Sequence, residues 1–209
     1  MAYTVKEMHY TLQGEGARAG RPVVLVRFVG CNLWTGREGD RSTACCRFCD
    51  TDFLGTDGPG GGRFSDASIL ARSVADFWPD RRADPYVVLT GGEPLLQVDS
   101  SLIAALHQEG FEVGVETNGT LACPGEIDWV CVSPKAGSPL RLTCGQELKV
   151  VWPQAIDLEM LADLDFQHYW LQPMDGPDLR LNTRLAAERC LLSGPWRLSI
   201  QTHKVVGIP

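Results

Sequence analysis

The stretch GCNLWTGREGDRSTACCRFCDT, Gly30 to Thr51, decides how this chain is read. It holds Cys31, Cys45, Cys46 and Cys49; the last two form a C-x-x-C with Phe48 just before Cys49, and Cys31 stands fifteen positions upstream of Cys46. Three chemistries use such a loop. A structural zinc wants four closed ligands, and no second C-x-x-C or paired histidine spacing follows to complete it. A redox C-x-x-C stays open as a reading, but leaves Cys31 and the glycine motif described below unexplained. A four-iron cluster held by three thiolates leaves one iron open, and that iron can bind a cofactor. Cys46 is then the middle ligand, because only its two-residue spacing to Cys49 lets two thiolates reach adjacent irons. Cys45 is read as a packed bystander.

Upstream, TVKEMHYTLQGEGARAGRPVVLVRFVG reads as a short strand, a glycine-punctuated loop and a strand from about Val23 to Val29. Downstream, Asp57 to Gly62 (DGPGGG) reads as a flexible surface linker, since no strand feeds it for phosphate binding. SDASILARSVADFW predicts a helix capped by Ser65 or Asp66, with Ile69, Leu70, Val74, Phe77 and Trp78 on the core face. Then strand and helix alternate: PYVVL, the helix LLQVDSSLIAALHQEG, FEVGVE, IDWVCV, ELKVVW, a helix around Ala155 to Asp163, HYWLQ, the helix LRLNTRLAAERCLLS, and WRLSIQ before the tail THKVVGIP. Near-continuous apolar strands between helices predict an α/β fold whose parallel sheet is covered by helices. Six or seven such units make a partial (β/α)6-type barrel, open on one side, with the cysteine stretch as an inserted loop.

The polar motifs fall at strand ends. TGGEP (Thr90 to Pro94), ETNG (Glu116 to Gly119), SPK (Ser133 to Lys135), QPMD (Gln172 to Asp175) and QTHK (Gln201 to Lys204) each follow a predicted strand. In parallel α/β architectures these ends converge on one ligand mouth. Each motif has a plainer reading. TGGEP makes a good turn, and Lys135 suits a solvated position after a Pro turn. Arg27, inside an apolar strand, needs an anionic partner, which Glu7 or Glu15 can supply as well as a ligand carboxylate. A lone histidine such as His203 is more often structural than catalytic.

The cysteine loop resembles that of the radical S-adenosylmethionine enzymes, whose usual spacing is C-x3-C-x2-C; here it is C-x14-C-x2-C. A similar insertion occurs in the 7-carboxy-7-deazaguanine synthases within that superfamily. With TLQGEG near the start and QTHK near the end, the resemblance covers nearly the whole chain. It implies one radical S-adenosylmethionine domain over 1–209, with the cluster loop at 30–51 and a substrate-pocket tail at 197–209. The implied reaction is that of a carbon–nitrogen lyase: ring contraction of 6-carboxy-5,6,7,8-tetrahydropterin to 7-carboxy-7-deazaguanine with loss of ammonia, in queuosine and 7-deazapurine biosynthesis. Cys31, Cys46 and Cys49 would ligate a 4Fe-4S cluster. Gly91, Gly92, Glu93, Ser133, Lys135, Gln172, Pro173, Met174 and Asp175 would bind S-adenosylmethionine. Leu12, Gln13, Gly14, Glu15, Arg27, Thr90, Glu116, His203 and Pro209 would hold the substrate, and Thr51, between Asp50 and Asp52, would meet Mg2+. An external electron donor such as flavodoxin or ferredoxin is implied, and a homodimer would cover an exposed sheet edge. The competing readings are an activase of a glycyl-radical enzyme, which needs a broad groove, and a metal-binding module without catalysis.

Composition agrees. The chain has 209 residues, 44% of them apolar, enough for one sizeable core. Its longest apolar runs, such as Val23 to Val26 and Tyr86 to Leu89, are strand-sized, far short of a membrane span. Met1 leads into Ala-Tyr-Thr-Val-Lys without a basic and apolar leader, so a cytoplasmic location is expected. In that reducing compartment Cys123, Cys131, Cys144 and Cys190, which lack ligand spacing, are bystander thiols rather than disulfides. A net charge of -7 without a basic stripe argues against nucleic acid.

Overall fold

The computed structural model describes residues 2–79, 84–192 and 194–209. Among the described residues the strands form one sheet of nine: β1 (Tyr3–Leu12), β2 (Pro22–Phe28), β3 (Gly62–Phe64), β4 (Tyr86–Gly91), β5 (Glu112–Thr117), β6 (Trp129–Val132), β7 (Cys144–Trp152), β8 (Asp165–Pro173) and β9 (Trp196–Leu198). The sheet runs β3-β1-β2-β4-β5-β6-β7-β8-β9 and does not close on itself. From β2 to β9 every pairing is parallel. The helices are α1 (Ala67–Ala75), α2 (Ser100–Gln108), α3 (Leu158–Ala162), α4 (Leu179–Cys190) and α5 (Thr202–Val206). Asp66 caps α1 by accepting from Ile69 N, Asp99 caps α2 through Leu102 N, and Asp157 caps α3 through Glu159 N and Met160 N.

Several expectations are corrected. β1 is long, not short, and pairs antiparallel with both β2 and β3, so the parallel sheet carries an antiparallel margin. DGPGGG is not a loose linker. It leads into β3 and packs on β1: Gly58 N donates to Lys6 O, and a side chain on Gly61 would collide with that same carbonyl. The edge strands are β3 and β9, so the last strand is at an edge while the first, β1, is covered by β3. Ile69 is 41% exposed, and the core face of α1 is Leu70, Ala71 and Val74. Among the described residues the β5–β6 and β6–β7 crossovers carry no helix. The last strand stops at Leu198, and QTHK opens α5 instead of ending a strand.

Strand alternation sorts the side chains into two layers. Val24, Val26, Val87, Leu89, Val113 and Val115 face α1 and α2 in one core, while Leu148, Val150 and Leu171 lie in a second core with residues of α3 and α4. The opposite parity is polar toward the strand ends: Arg27 on β2, Thr90 on β4, Glu116 on β5, Lys149 on β7 and Gln172 on β8 all line one cavity. Register carries this across the sheet, with Arg27 beside Thr90 and Val151 beside Gln172.

Candidate active site

The cavity on that inner face measures about 360 Å3 and is bounded by the cysteine loop, the C-terminal ends of the strands and the tail. Cys31, Cys46 and Cys49 all line it; Cys45 does not. Cys45 is exposed, not packed, and its thiol donates to Ala136 O at 3.6 Å. The Cys46 thiol donates to Cys49, which pushes Cys46 well up and, despite burial, holds Cys49 down at about 6. Among the described residues no group of three or more His, Cys, Asp or Glu side chains is placed to hold one metal ion.

The intervening residues are held by Arg41. Its guanidinium pairs with Glu38, donates to the carbonyls of Arg47 (3.0 Å) and Cys49 (3.1 Å), and lies 4.0 Å above the Trp34 ring. Trp34 packs edge-on against buried Phe53. At the base of the excursion, Leu33 O accepts from both Cys45 N and Cys46 N. A side chain on Gly92 would strike Gly30 O and Cys31 Cβ, so TGGEP needs this glycine for the strand end to touch the cysteine loop.

Glu93 is fully buried and does not line the cavity. It caps the 3-10 turn Pro94–Leu96 by accepting from Leu95 N, and also accepts from Thr117 Oγ1 at 2.7 Å and Asn118 N at 2.8 Å. Burial pushes this carboxyl up, against those three donors. Asn118 in turn donates to Asn32 Oδ1, so Glu93 and the cysteine loop belong to one hydrogen-bonded network. Met174 also stands outside the lining; its backbone N donates to Trp152 O and its carbonyl accepts from Asn182 Nδ2. Gly91, Gly92, Ser133, Lys135, Gln172, Pro173 and Asp175 do line the cavity. Lys135 is not solvated: Nζ reaches the carbonyl and hydroxyl of Ser133, and burial pulls its pKa down. Gln172 lines the cavity but is itself buried, and its occluded Oε1 has no hydrogen-bond partner among the described residues.

Leu12, Gln13, Gly14, Glu15, Arg27, Thr90, Glu116, His203 and Pro209 line the same cavity. Arg27 Nε donates to Glu7 Oε1 at 2.8 Å, so the structural ion pair exists, with the arginine still at the cavity wall. The tail closes over these residues: Gly14 O accepts from the amide and hydroxyl of Thr202, and Thr11 Oγ1 donates to Pro209 O at 2.8 Å. Lys204 bridges Asp50 and Asp175, 2.6 Å from each, tying tail, cysteine loop and β8 together. Thr51 lines the cavity between two engaged carboxylates, Asp50 held by Lys204 and Asp52 by Lys6.

No family model matches the chain. The 7-carboxy-7-deazaguanine synthase of Bordetella pertussis is 59% identical over 210 residues, and that of Burkholderia multivorans 58% over 212, each covering 100% of both chains. The chain belongs to the 7-carboxy-7-deazaguanine synthase family. The crystal structure of QueE from Escherichia coli superposes with a TM-score of 0.70 at 29% identity, covering 97% of this chain and 95% of that one. Among the described residues no helix of this synthase-family chain is long and apolar enough to cross a membrane.

One group at the centre of the site escaped the sequence reading. Lys149 lines the cavity at 4% exposure, its Nζ paired with Glu15 and, at 3.0 Å, with Glu116. Gln13 Nε2 donates to the other oxygen of Glu116, and Gln201 Nε2 to the other oxygen of Glu15. Burial pushes Glu15 up, but the charge and hydrogen bond of Lys149, with Gln201, outweigh it and hold Glu15 down at about 2. The signal was available: ELKVVW puts one lysine within an apolar strand, on the same parity as Val151 and the cavity. Asn118 and Gln201 are further lining residues outside the predicted set.

Proposed function

We propose that this chain contracts the ring of 6-carboxy-5,6,7,8-tetrahydropterin to 7-carboxy-7-deazaguanine with loss of ammonia, as a radical S-adenosylmethionine enzyme that uses Mg2+ in queuosine or 7-deazapurine biosynthesis. The observation that carries this is one cavity lined by three thiols together with the carboxylates, amides and cations of the strand ends and the tail. Its volume of about 360 Å3 suits small ligands rather than the open groove a glycyl-radical activase needs. Full-length identity to the curated synthases supports the same substrate.

Cys31, Cys46 and Cys49 hold the 4Fe-4S cluster in this reading. Gly91, Gly92, Ser133, Lys135 and the Gln172 to Asp175 segment hold S-adenosylmethionine. Once reduced, cluster and cofactor together supply a 5′-deoxyadenosyl radical. Glu116 accepts from the amidine edge of the pterin, while Arg27 and His203 face its carboxylate. Thr51 offers its hydroxyl to Mg2+, an ion that keeps much of its water and so needs few protein ligands. The tail excludes water and holds the ring in place. Glu93 serves from beneath, by fixing the strand end. We read 1–209 as one domain that takes electrons from a flavodoxin or ferredoxin. A homodimer would cover the β9 margin, where Leu198 and Ile200 are exposed.

The test is anaerobic reconstitution with iron and sulfide, then incubation with S-adenosylmethionine, reductant, Mg2+ and the pterin, following product by mass spectrometry. Accumulation of 5′-deoxyadenosine without 7-carboxy-7-deazaguanine would leave the radical chemistry standing and remove the substrate.

A further inference from the structure

We infer that Lys149 is a positioning residue for substrate recognition: it separates Glu15 from Glu116 and presents Glu116 to the cavity as a fixed, acceptor-only carboxylate. The inference rests on the pterin reading above.

The geometry is that of a buried cation between two anions from different elements. Glu15 comes from the loop after β1, Glu116 from β5 and Lys149 from β7, and both carboxylates lie within hydrogen-bond reach of one Nζ. The outer oxygens are fixed by Gln13 and Gln201, so the five side chains form one connected hydrogen-bond network. Lys149 is 5% exposed at its side chain and Glu15 13%, whereas Glu116 keeps 23%, so Glu116 is the member the ligand can meet.

The amidine edge of a pterin offers two N–H donors side by side. An ionised carboxylate accepts both; a protonated one turns an O–H donor toward a donor. Without Lys149, two carboxylates would share one network, and one of them would take up a proton. Other titratable or charged groups that act on Glu15, Glu116 or Lys149 include Tyr86 on β4, Cys131 on β6, Lys135 after β6 and His203 on α5. Lys135 has its own partner in Ser133, so none of these replaces the cation between the carboxylates.

The experiment uses reconstituted holoenzyme and measures KM, kcat and the equilibrium dissociation constant for the pterin between about pH 6 and pH 9. Lys149→Met raises KM and the dissociation constant about tenfold or more at neutral pH, the scale expected when a buried charge loses its partner. Both constants improve as pH rises and the shared proton leaves, while kcat changes less. Lys149→Arg restores much of the affinity. Because Lys149→Met strands two buried anions and can fail to fold, the double variant Glu15→Gln/Lys149→Met keeps the wild-type charge balance in the network. Its KM carries no such pH limb, whatever its absolute value. Equal KM and equal pH profiles in wild type and Lys149→Met would overturn the inference, as would a pH limb that persists in the double variant. A wild type that makes 5′-deoxyadenosine but no product would instead remove the pterin reading, and this inference with it.

Discussion

Replacing Glu93 by glutamine tests whether the glutamate of TGGEP acts from inside the protein rather than at the cavity. Its Oε1 accepts from Leu95 N and Thr117 Oγ1, and its Oε2 from Asn118 N, all without solvent. A glutamine in the same rotamer keeps Oε1 and turns an amide NH2 toward Asn118 N–H, donor against donor. The flipped amide loses two acceptor contacts instead of one, so no orientation recovers the set. One hydrogen bond to a carboxylate is lost and one buried donor is orphaned, a cost of about 2 kcal/mol. For a chain of 209 residues that lowers the melting temperature by about 4–8 °C. Glu93→Ala orphans all three donors and falls about twice as far. Thermal unfolding of the anaerobically purified, cluster-free protein isolates this effect from cofactor binding. Glu93→Gln melting within about 1 °C of wild type would refute the reasoning.

Three further outcomes are expected. Cys46→Ala abolishes iron and acid-labile sulfide uptake on reconstitution while Cys45→Ala retains both, because Cys45 lies outside the cavity; metal and sulfide analysis per chain decides. Glu15, held down at about 2, contributes stability that is fully present above its usual 4.5 and is lost as pH falls from there through about 2; urea unfolding across that window gives a shallower slope for Glu15→Gln. Lys204→Met costs under about 1 kcal/mol per bridge, because the lysine is 38% exposed, yet frees the tail from Asp50 and Asp175. Limited proteolysis then clips the tail faster than in wild type, with little change in melting temperature.

The strand-end motifs were legible because parallel strands bring their C-terminal ends together whatever the helices do, so missing helices between β5 and β7 moved no site residue away. β1 was harder. A bulge between Val5 and Glu7 shifts the side-chain parity, so buried Val5 and Met8 sit three apart and break the alternation that marks a strand. β3 has three residues, too few to carry any pattern. Glu93 reads as a cavity residue by its motif, but Pro94 begins a turn whose first free amides draw the carboxylate inward. Lys149 was missed for the opposite reason: it belongs to no motif, and its place inside an apolar strand gains its meaning from partners on β5 and the loop after β1.

The cysteine loop leaves and returns through a single residue, since Leu33 O accepts the amides of both Cys45 and Cys46. A chain pinched at its base in this way has a length that is thermodynamically cheap to change. Lengthening a closed loop from three to fourteen residues costs only about 1.4 kcal/mol of closure entropy, and the Arg41 clamp offsets that ordering by gathering Trp34, Glu38, Arg47 and Cys49 around one guanidinium. Loop length between Cys31 and Cys46 can therefore drift without moving the thiols, and spacing is a poor ruler for where Cys31, Cys46 and Cys49 stand in this site.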